Sequence, residues 1–341
     1  MKLIFRDIEY DLDDAIDSYF LNENIIQDQY RKSKLDIGKR VDYSTRIYNR
    51  DLKNVLHDKA MHGSWDFARD NVNTYDTDKF EKLTDDYCIL RKKTDKEYDT
   101  LVITFPSFAG PEGRFTSNRT NVSERLIDQD TDLLIVNEDP FRMPESLYPS
   151  NLMLGISDTY NTVELAVEKI RECITKEYKN IVIHVESKHA ASGATYAIQL
   201  NDIVTHLFVM TGATTFKWDK SPWVQKYLKW ASRPESLKDQ FLDMPDVQFM
   251  HIIKTYNFKK MRISDKILDP FAYIGDYDIK IDYYHGKYDT DFISFKKVVE
   301  EQNIKNLTMH NIDYKISDTQ THNIKPHLDR YIIPEYIKSL R

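Results

Sequence analysis

The chain has 341 residues, 41% of them hydrophobic, enough for one large domain with additions or two modest ones. Acids outnumber bases by seven, which argues against a basic nucleic-acid-binding face. Two cysteines, Cys88 and Cys173, make neither a disulfide framework nor a zinc cluster, and no window approaches the ~18 apolar residues of a membrane span.

The N-terminus, MKLIFRDIEYDLDD, turns acidic too early to hold the apolar core of a secretion leader, so a cytoplasmic protein is expected. Residues 1–85 are rich in Asp, Tyr, Arg and Asn, with short helical patterns such as YDLDDAIDSYFLNENIIQDQY. They are expected to form a mostly helical extension offering a surface to a protein partner.

From residue 86 the texture changes. YCILRKK (87–93) reads as a strand. LVITF (101–105) is a continuous apolar run, as in a strand buried on both faces. TDLLIVNED (131–139) is a third strand. TVELAVEKIRECITKEY (162–178) has apolar positions at Val163, Leu165, Ala166, Val167, Ile170 and Ile174, one face of a helix. NIVIHV (180–185) is a strand, AASGATYAIQLND (190–202) a helix of small residues, and VTHLFVMTG (204–212) a strand. Residues 213–276 are irregular and aromatic. YDIKIDYYHG (277–286), FISFKKVVEEQNI (292–304), KNLTMHNI (305–312) and HLDRYIIPEYIKSL (327–340) then read as strand, helix, strand and helix.

This alternation predicts an α/β fold: a mainly parallel central sheet with helices on both faces. Catalytic groups in such sheets gather at the carboxyl ends of the strands. The order of elements over residues 86–341 resembles the α/β-hydrolase superfamily, with residues 213–276 as a cap insertion. In that family a nucleophile follows a central strand on a tight turn, usually in G-x-S-x-G. Here V185-E186-S187-K188-H189 follows IVIHV and precedes Ala190, Ala191, Gly193 and Ala194, but neither flanking glycine is present. The Ser-Lys pair is similar to an S-K-G variant of carbohydrate-linked esterases and acetyltransferases. There is also a faint similarity to proteins encoded with bacterial capsule or glycoprotein-export systems. A rival register lays K188-H189-A190-A191-S192-G193 over G-x-S-x-G-G. It puts Ala190 at the nucleophile position and makes the chain a disabled form.

The resemblance implies a carboxylate after the next-to-last strand and a histidine after the last. Asp289 satisfies the first through G-x-x-D at the end of IDYYHGKYD, with Asp291 as runner-up and a good helix N-cap. His322, in the polar loop before the closing helix, satisfies the second; His310 lies within a strand and His327 begins the helix. The family's oxyanion donors map to the backbone N–H of Lys188 and those of Ser107 and Phe108 in PSFAGPEGRF. Arg114 could meet an anionic group, against the plainer reading of a surface charge. Trp218 and Trp223 could stack on a sugar or line an acyl pocket. With Tyr227 and Trp230 they equally suit a packed helix face.

Three function classes follow. The first is a serine-dependent acyl-ester hydrolase or acyl (acetyl) transferase with a Ser187–His322–Asp289 triad, no cofactor and no metal. It would act on a small molecule or glycoconjugate. The second is a non-catalytic binding or scaffold protein on the same fold. The third, a nucleotide-binding enzyme, lacks both G-x-G-x-x-G and G-x-x-x-x-G-K-[ST] after any strand.

Overall fold

The computed structural model describes residues 2–5, 8–11, 78–85, 88–105, 126, 128–136, 155–157, 159–160, 162–187, 189–217, 220, 264–289, 293–313 and 331–341, with backbone alone at 2–5, 8–11 and 187. The chain divides into two compact units, residues 1–67 with 216–268, and residues 68–215 with 269–341.

In the first unit, β1 (Lys2–Phe5) and β2 (Ile8–Asp11) pair antiparallel with Phe5 opposite Ile8, a two-residue hairpin. This hairpin opens the segment expected to be a mostly helical extension. The helical patterns from residue 12 onward lie outside the described residues. A short helix, α3 (Asp265–Leu268), belongs to the same unit, and the Phe216 N–H donates to the Leu268 carbonyl at 2.6 Å.

The second unit is built on eight strands. They are β3 (Phe80–Lys82), β4 (Ile89–Lys92), β5 (Thr100–Phe105), β6 (Asp132–Val136), β7 (Asn180–Ser187), β8 (His206–Gly212), β9 (Lys280–Gly286) and β10 (Leu307–Ile312). Their order across the sheet is β10-β9-β8-β7-β5-β6-β4-β3. All neighbours from β6 to β10 pair parallel, and β4 runs antiparallel to both β6 and β3. Every residue of β5 is buried, as its unbroken apolar run requires. The strand β3 is too short for a periodic signal and was not foreseen.

Helices cover the two faces. Strand side chains alternate, so Val182, His184 and Glu186 of β7 point one way and Ile183 and Val185 the other. On the first face Val102, Val182, Phe208, Met210 and Tyr284 form a core with Ile333, Tyr336 and Ile337 of α5 (Ile333–Ser339). There the Phe208 ring stacks on Tyr284 at 4.6 Å and meets Tyr336 edge-on at 4.9 Å. On the second face lies α2 (Ala190–Gln199), whose residues 190–198 are all buried. A helix made of Ala, Ser, Gly and Thr can approach a sheet closely because its radius is small. At Gly193 an added Cβ would stand 2.2 Å from Val185 Cγ1.

Helix α1 (Val163–Glu172) is capped by Thr162, whose hydroxyl accepts from the Leu165 N–H at 3.2 Å. It buries Val163, Ala166, Val167 and Ile170, while Leu165, assigned by periodicity to the apolar face, is exposed. Helix α4 (Ile293–Glu301) buries Phe295 and Val299. Among the described residues no helix is long and apolar enough to cross a membrane.

Candidate active site

The sheet order reverses beside β5: the chain passes from β5 outward to β6, then returns to β7 on the other side. The carboxyl ends of β5 and β7 thus flank a topological switch point, where a crevice for ligands forms. Residues 106–115, the expected oxyanion loop, leave from β5 at this place and lie outside the described residues.

At the end of β7 the chain makes a tight turn. The pairing with β8 shifts register between Glu186 and Ser187. The His189 N–H donates to the Glu186 carbonyl at 3.0 Å, closing a four-residue turn whose two central residues are Ser187 and Lys188. Helix α2 begins at once, with the Gly193 N–H bonded to the His189 carbonyl at 2.8 Å. Ser187 therefore ends the strand at the turn, with its side chain outside the described residues. Ala190 is the first residue of α2 and is wholly buried.

The strand before this turn is polar on one face. His184 and Glu186 are buried on β7, with His184 Nδ1 2.9 Å from Thr104 Oγ1 of β5 and Nε2 3.9 Å from Glu186 Oε1. Thr104 and His184 are paired in register, so the contact links the two strands on either side of the switch point close to their carboxyl ends.

Asp289 lies three residues past Gly286, the last residue of β9, and is 1% exposed. Its N–H donates to the Gly286 carbonyl at 3.0 Å. Its carboxylate accepts from the Thr211 hydroxyl, at the end of β8, at 2.8 Å. Beside it, Tyr283 is fully buried and its hydroxyl takes the Gly212 N–H at 3.2 Å. Burial, with the charge of Asp289 adding to it, pushes the Tyr283 phenol far above its ordinary range, so the hydroxyl stays protonated.

The sequence-predicted residues thus fall into two groups. Ser187, Ala190 and Asp289 stand at the carboxyl ends of β7 and β9 or immediately after them. Lys188, Ser107, Phe108, Arg114, Trp218, Trp223, Asp291, His322 and His327 lie outside the described residues. His310 belongs to β10 and bonds Asp282 of β9 at 2.8 Å, while its ring stacks on Tyr284 at 4.2 Å. Thr211 and Tyr283 went unnoticed in the sequence, because their importance comes from contacts between strands. The only local hint is the break of an apolar run, FVM, at Thr-Gly. Among the described residues no cluster of His, Cys, Asp and Glu could hold a metal ion.

No protein-family model matches the chain, and no curated protein matches its sequence. Solved structures do match. One is a protein from Staphylococcus aureus provisionally identified as an esterase, 12% identical, covering 88% of this chain and 96% of its own, with a TM-score of 0.50. Another is a hyperthermophilic esterase from the archaeon Pyrobaculum calidifontis, 11% identical, covering 93% of this chain and 96% of its own, at 0.48. A third is the capsule O-acetyltransferase of Neisseria meningitidis serogroup A, 14% identical, covering 76% of this chain and 93% of its own, at 0.42. The strand order and the first of these likenesses establish the fold: this is an α/β-hydrolase-fold protein. At such identities the likeness carries the fold and leaves the reaction to the site.

Proposed function

We propose that the protein is a serine-dependent acyl-ester hydrolase or acyl (acetyl) transferase, with Ser187 as nucleophile, His322 as general base and Asp289 as the acid that orients it. The observation that carries the reading is the closed turn 186–189 at the switch point, with Asp289 buried at the end of the next strand but one.

The chemistry follows from these groups. A serine hydroxyl is a weak nucleophile at neutral pH, so an imidazole takes its proton as Oγ attacks the ester carbonyl. A buried carboxylate holds the imidazole in one tautomer and stabilises the cation that forms. The backbone N–H groups of Lys188 and of Ser107 or Phe108 would receive the oxyanion. The leaving alcohol takes the proton from the imidazolium, giving an acyl-serine. Water, or an acceptor hydroxyl, then attacks that ester with the same imidazole as base, releasing the acid or the transferred ester and restoring Ser187.

The Ser-Lys pair and Trp218 and Trp223 support a sugar or glycoconjugate among the substrates, with Arg114 for an anionic group. Residues 1–85 are proposed as a partner surface and the cytoplasm as the location. Capsule or glycoprotein-export systems are the proposed setting.

Fluorophosphonate labelling of the full chain tests the core of this reading. Labelling lost in Ser187→Ala and kept in Ser192→Ala is the expected result. A parent that does not label, beside an Ala190→Ser variant that does, moves the nucleophile to 190 and makes this chain a disabled form. Silence from the parent and from Ala190→Ser, with p-nitrophenyl acetate also unhydrolysed, favours a binding protein on this fold.

A further inference from the structure

Three consecutive residues at the end of β8 touch both parts of the described site. Thr211 donates its hydroxyl to the Asp289 carboxylate at 2.8 Å. Gly212 is held from both sides by Tyr283, whose hydroxyl accepts from the Gly212 N–H at 3.2 Å and donates to its carbonyl at 3.4 Å. The Ala213 carbonyl accepts from the N–H of Ala191, in the first turn of α2, at 2.9 Å. Thr211, Tyr283 and Ala191 are fully buried and Ala213 and Asp289 nearly so, which keeps water from competing for these bonds.

The terminal torsion of an aspartate is broad, so packing alone sets the plane of its carboxylate loosely. A triad needs that plane fixed, because the acid must meet one ring nitrogen of the base along a defined line. A hydroxyl donor on one carboxylate oxygen supplies the restraint, and a bond to a charged acceptor is among the stronger ones available.

We propose that Thr211 is a positioning residue for Asp289: its hydroxyl fixes the rotation of the carboxylate, and the Gly212–Ala213 backbone keeps that carboxylate in register with the nucleophile turn. The inference rests on the triad reading above. It adds that the acid is aligned from β8. A methyl in place of the hydroxyl keeps the shape and removes the donor, so Thr211→Val separates alignment from packing.

The test is steady-state hydrolysis of p-nitrophenyl acetate by the full chain, with Thr211→Val, Thr211→Ser and Asp289→Asn beside the parent. The expected result is a fall in kcat of roughly 10- to 100-fold for Thr211→Val with KM within about twofold, as loss of alignment predicts. Thr211→Ser restores kcat to within about threefold, since it keeps the donor. Asp289→Asn falls further than Thr211→Val. If Thr211→Val does not fold, Thr211→Ala takes its place against Thr211→Ser. An unchanged kcat in the hydroxyl-deleted variant beside an inactive Asp289→Asn overturns the role of Thr211 and leaves the triad standing. Equal losses in the Val and Ser variants overturn it as well, since the hydroxyl would then not be what matters. A fully active Asp289→Asn, or a parent that neither hydrolyses the ester nor labels with fluorophosphonate, removes the triad reading and this inference together.

Discussion

Gly193→Ala probes a close approach between α2 and β7. The new Cβ would stand 2.2 Å from Val185 Cγ1, 2.9 Å from Cγ2 and 3.0 Å from Cβ. Carbon atoms pack at ~3.5 Å or more, so α2 and β7 must separate by about 1.3 Å or Val185 must leave its rotamer. Overpacking of this severity costs about 3 kcal/mol. Alanine regains about 1 kcal/mol of helix propensity over glycine. The net expectation is a loss of about 2 kcal/mol, read by urea denaturation with coincident fluorescence and circular-dichroism transitions. Val185→Ala alone costs about 2 kcal/mol through lost burial. It also removes both methyls from the clash. The Cβ of residue 185 remains, 3.0 Å from the new Cβ, so in that background the residual crowding offsets the helix-propensity gain and Gly193→Ala is expected to be near neutral, within about 0.5 kcal/mol. The coupling between the two sites is then about 2 kcal/mol, as for a pair in direct contact. Additive losses would refute the reasoning, since they would mean that α2 does not lie this close to Val185. If Ser187 is the nucleophile as proposed, the single variant should also slow fluorophosphonate labelling, because α2 starts at the turn that ends β7.

Tyr283→Phe leaves the buried Gly212 N–H without its 3.2 Å partner and is expected to cost about 1–3 kcal/mol by the same denaturation assay. Burial, reinforced by Lys280 and opposed by Asp282, holds the His206 imidazole below its ordinary value. The unfolded chain therefore takes up that proton first. The stability tied to neutral His206 is full above about pH 6.5 and is lost as pH falls below that, towards the depressed folded value. Melting temperatures from pH 7.5 down to 5.5 should fall less steeply in His206→Gln than in the parent; equal slopes would refute the assignment. Both cysteines are buried, and burial raises the Cys173 thiol above its ordinary value. Alkylation by iodoacetamide at pH 8 should thus be slow in the native protein and modify two thiols only after urea unfolding.

What could be read in the sequence depended on the range of the signal. The strands β5, β6 and β8 are apolar runs whose burial is written in four or five adjacent residues, β7 and β9 are shorter apolar stretches broken by His184 and Asp282, and the helices α1, α2 and α4 carry their own period. The place of Asp289, three residues past the Gly286 that ends β9, was legible for a similar reason. The hairpin of β1 and β2 was not, because its strands are only four residues long and acidic residues, Glu9 and Asp11, break the apolar pattern of the second. Leu165 misled as well: it lies beside the apolar stripe of α1, and only the packing shows that it is left in solvent. Thr211 could not be found at all from local pattern. Its partner lies 78 residues away, and only the side-by-side pairing of β8 and β9 brings the two together.

The proposed nucleophile position, Ser187, lacks both flanking glycines of the pattern it resembles, and the packing of β7 against α2 bears on both absences. A glycine two residues before the nucleophile makes room where the strand end meets the following helix. Here Val185 holds that position and its methyls fill the space, but the room is made from the other side, by Gly193 on α2. The second glycine position is held by His189, at φ −91° and ψ 5°, which is open to any residue. Its N–H closes the turn on the Glu186 carbonyl, and its side chain is buried beside the helix start. The turn therefore does not need glycine at either place, provided position 193 stays glycine. Restoring the usual pattern by Val185→Gly would then open a cavity facing Gly193. It should destabilise the chain by about 2–4 kcal/mol, with loss of strand propensity adding to the lost burial. A Val185→Gly variant as stable as the parent would show that the close approach to Gly193 does not hold this turn.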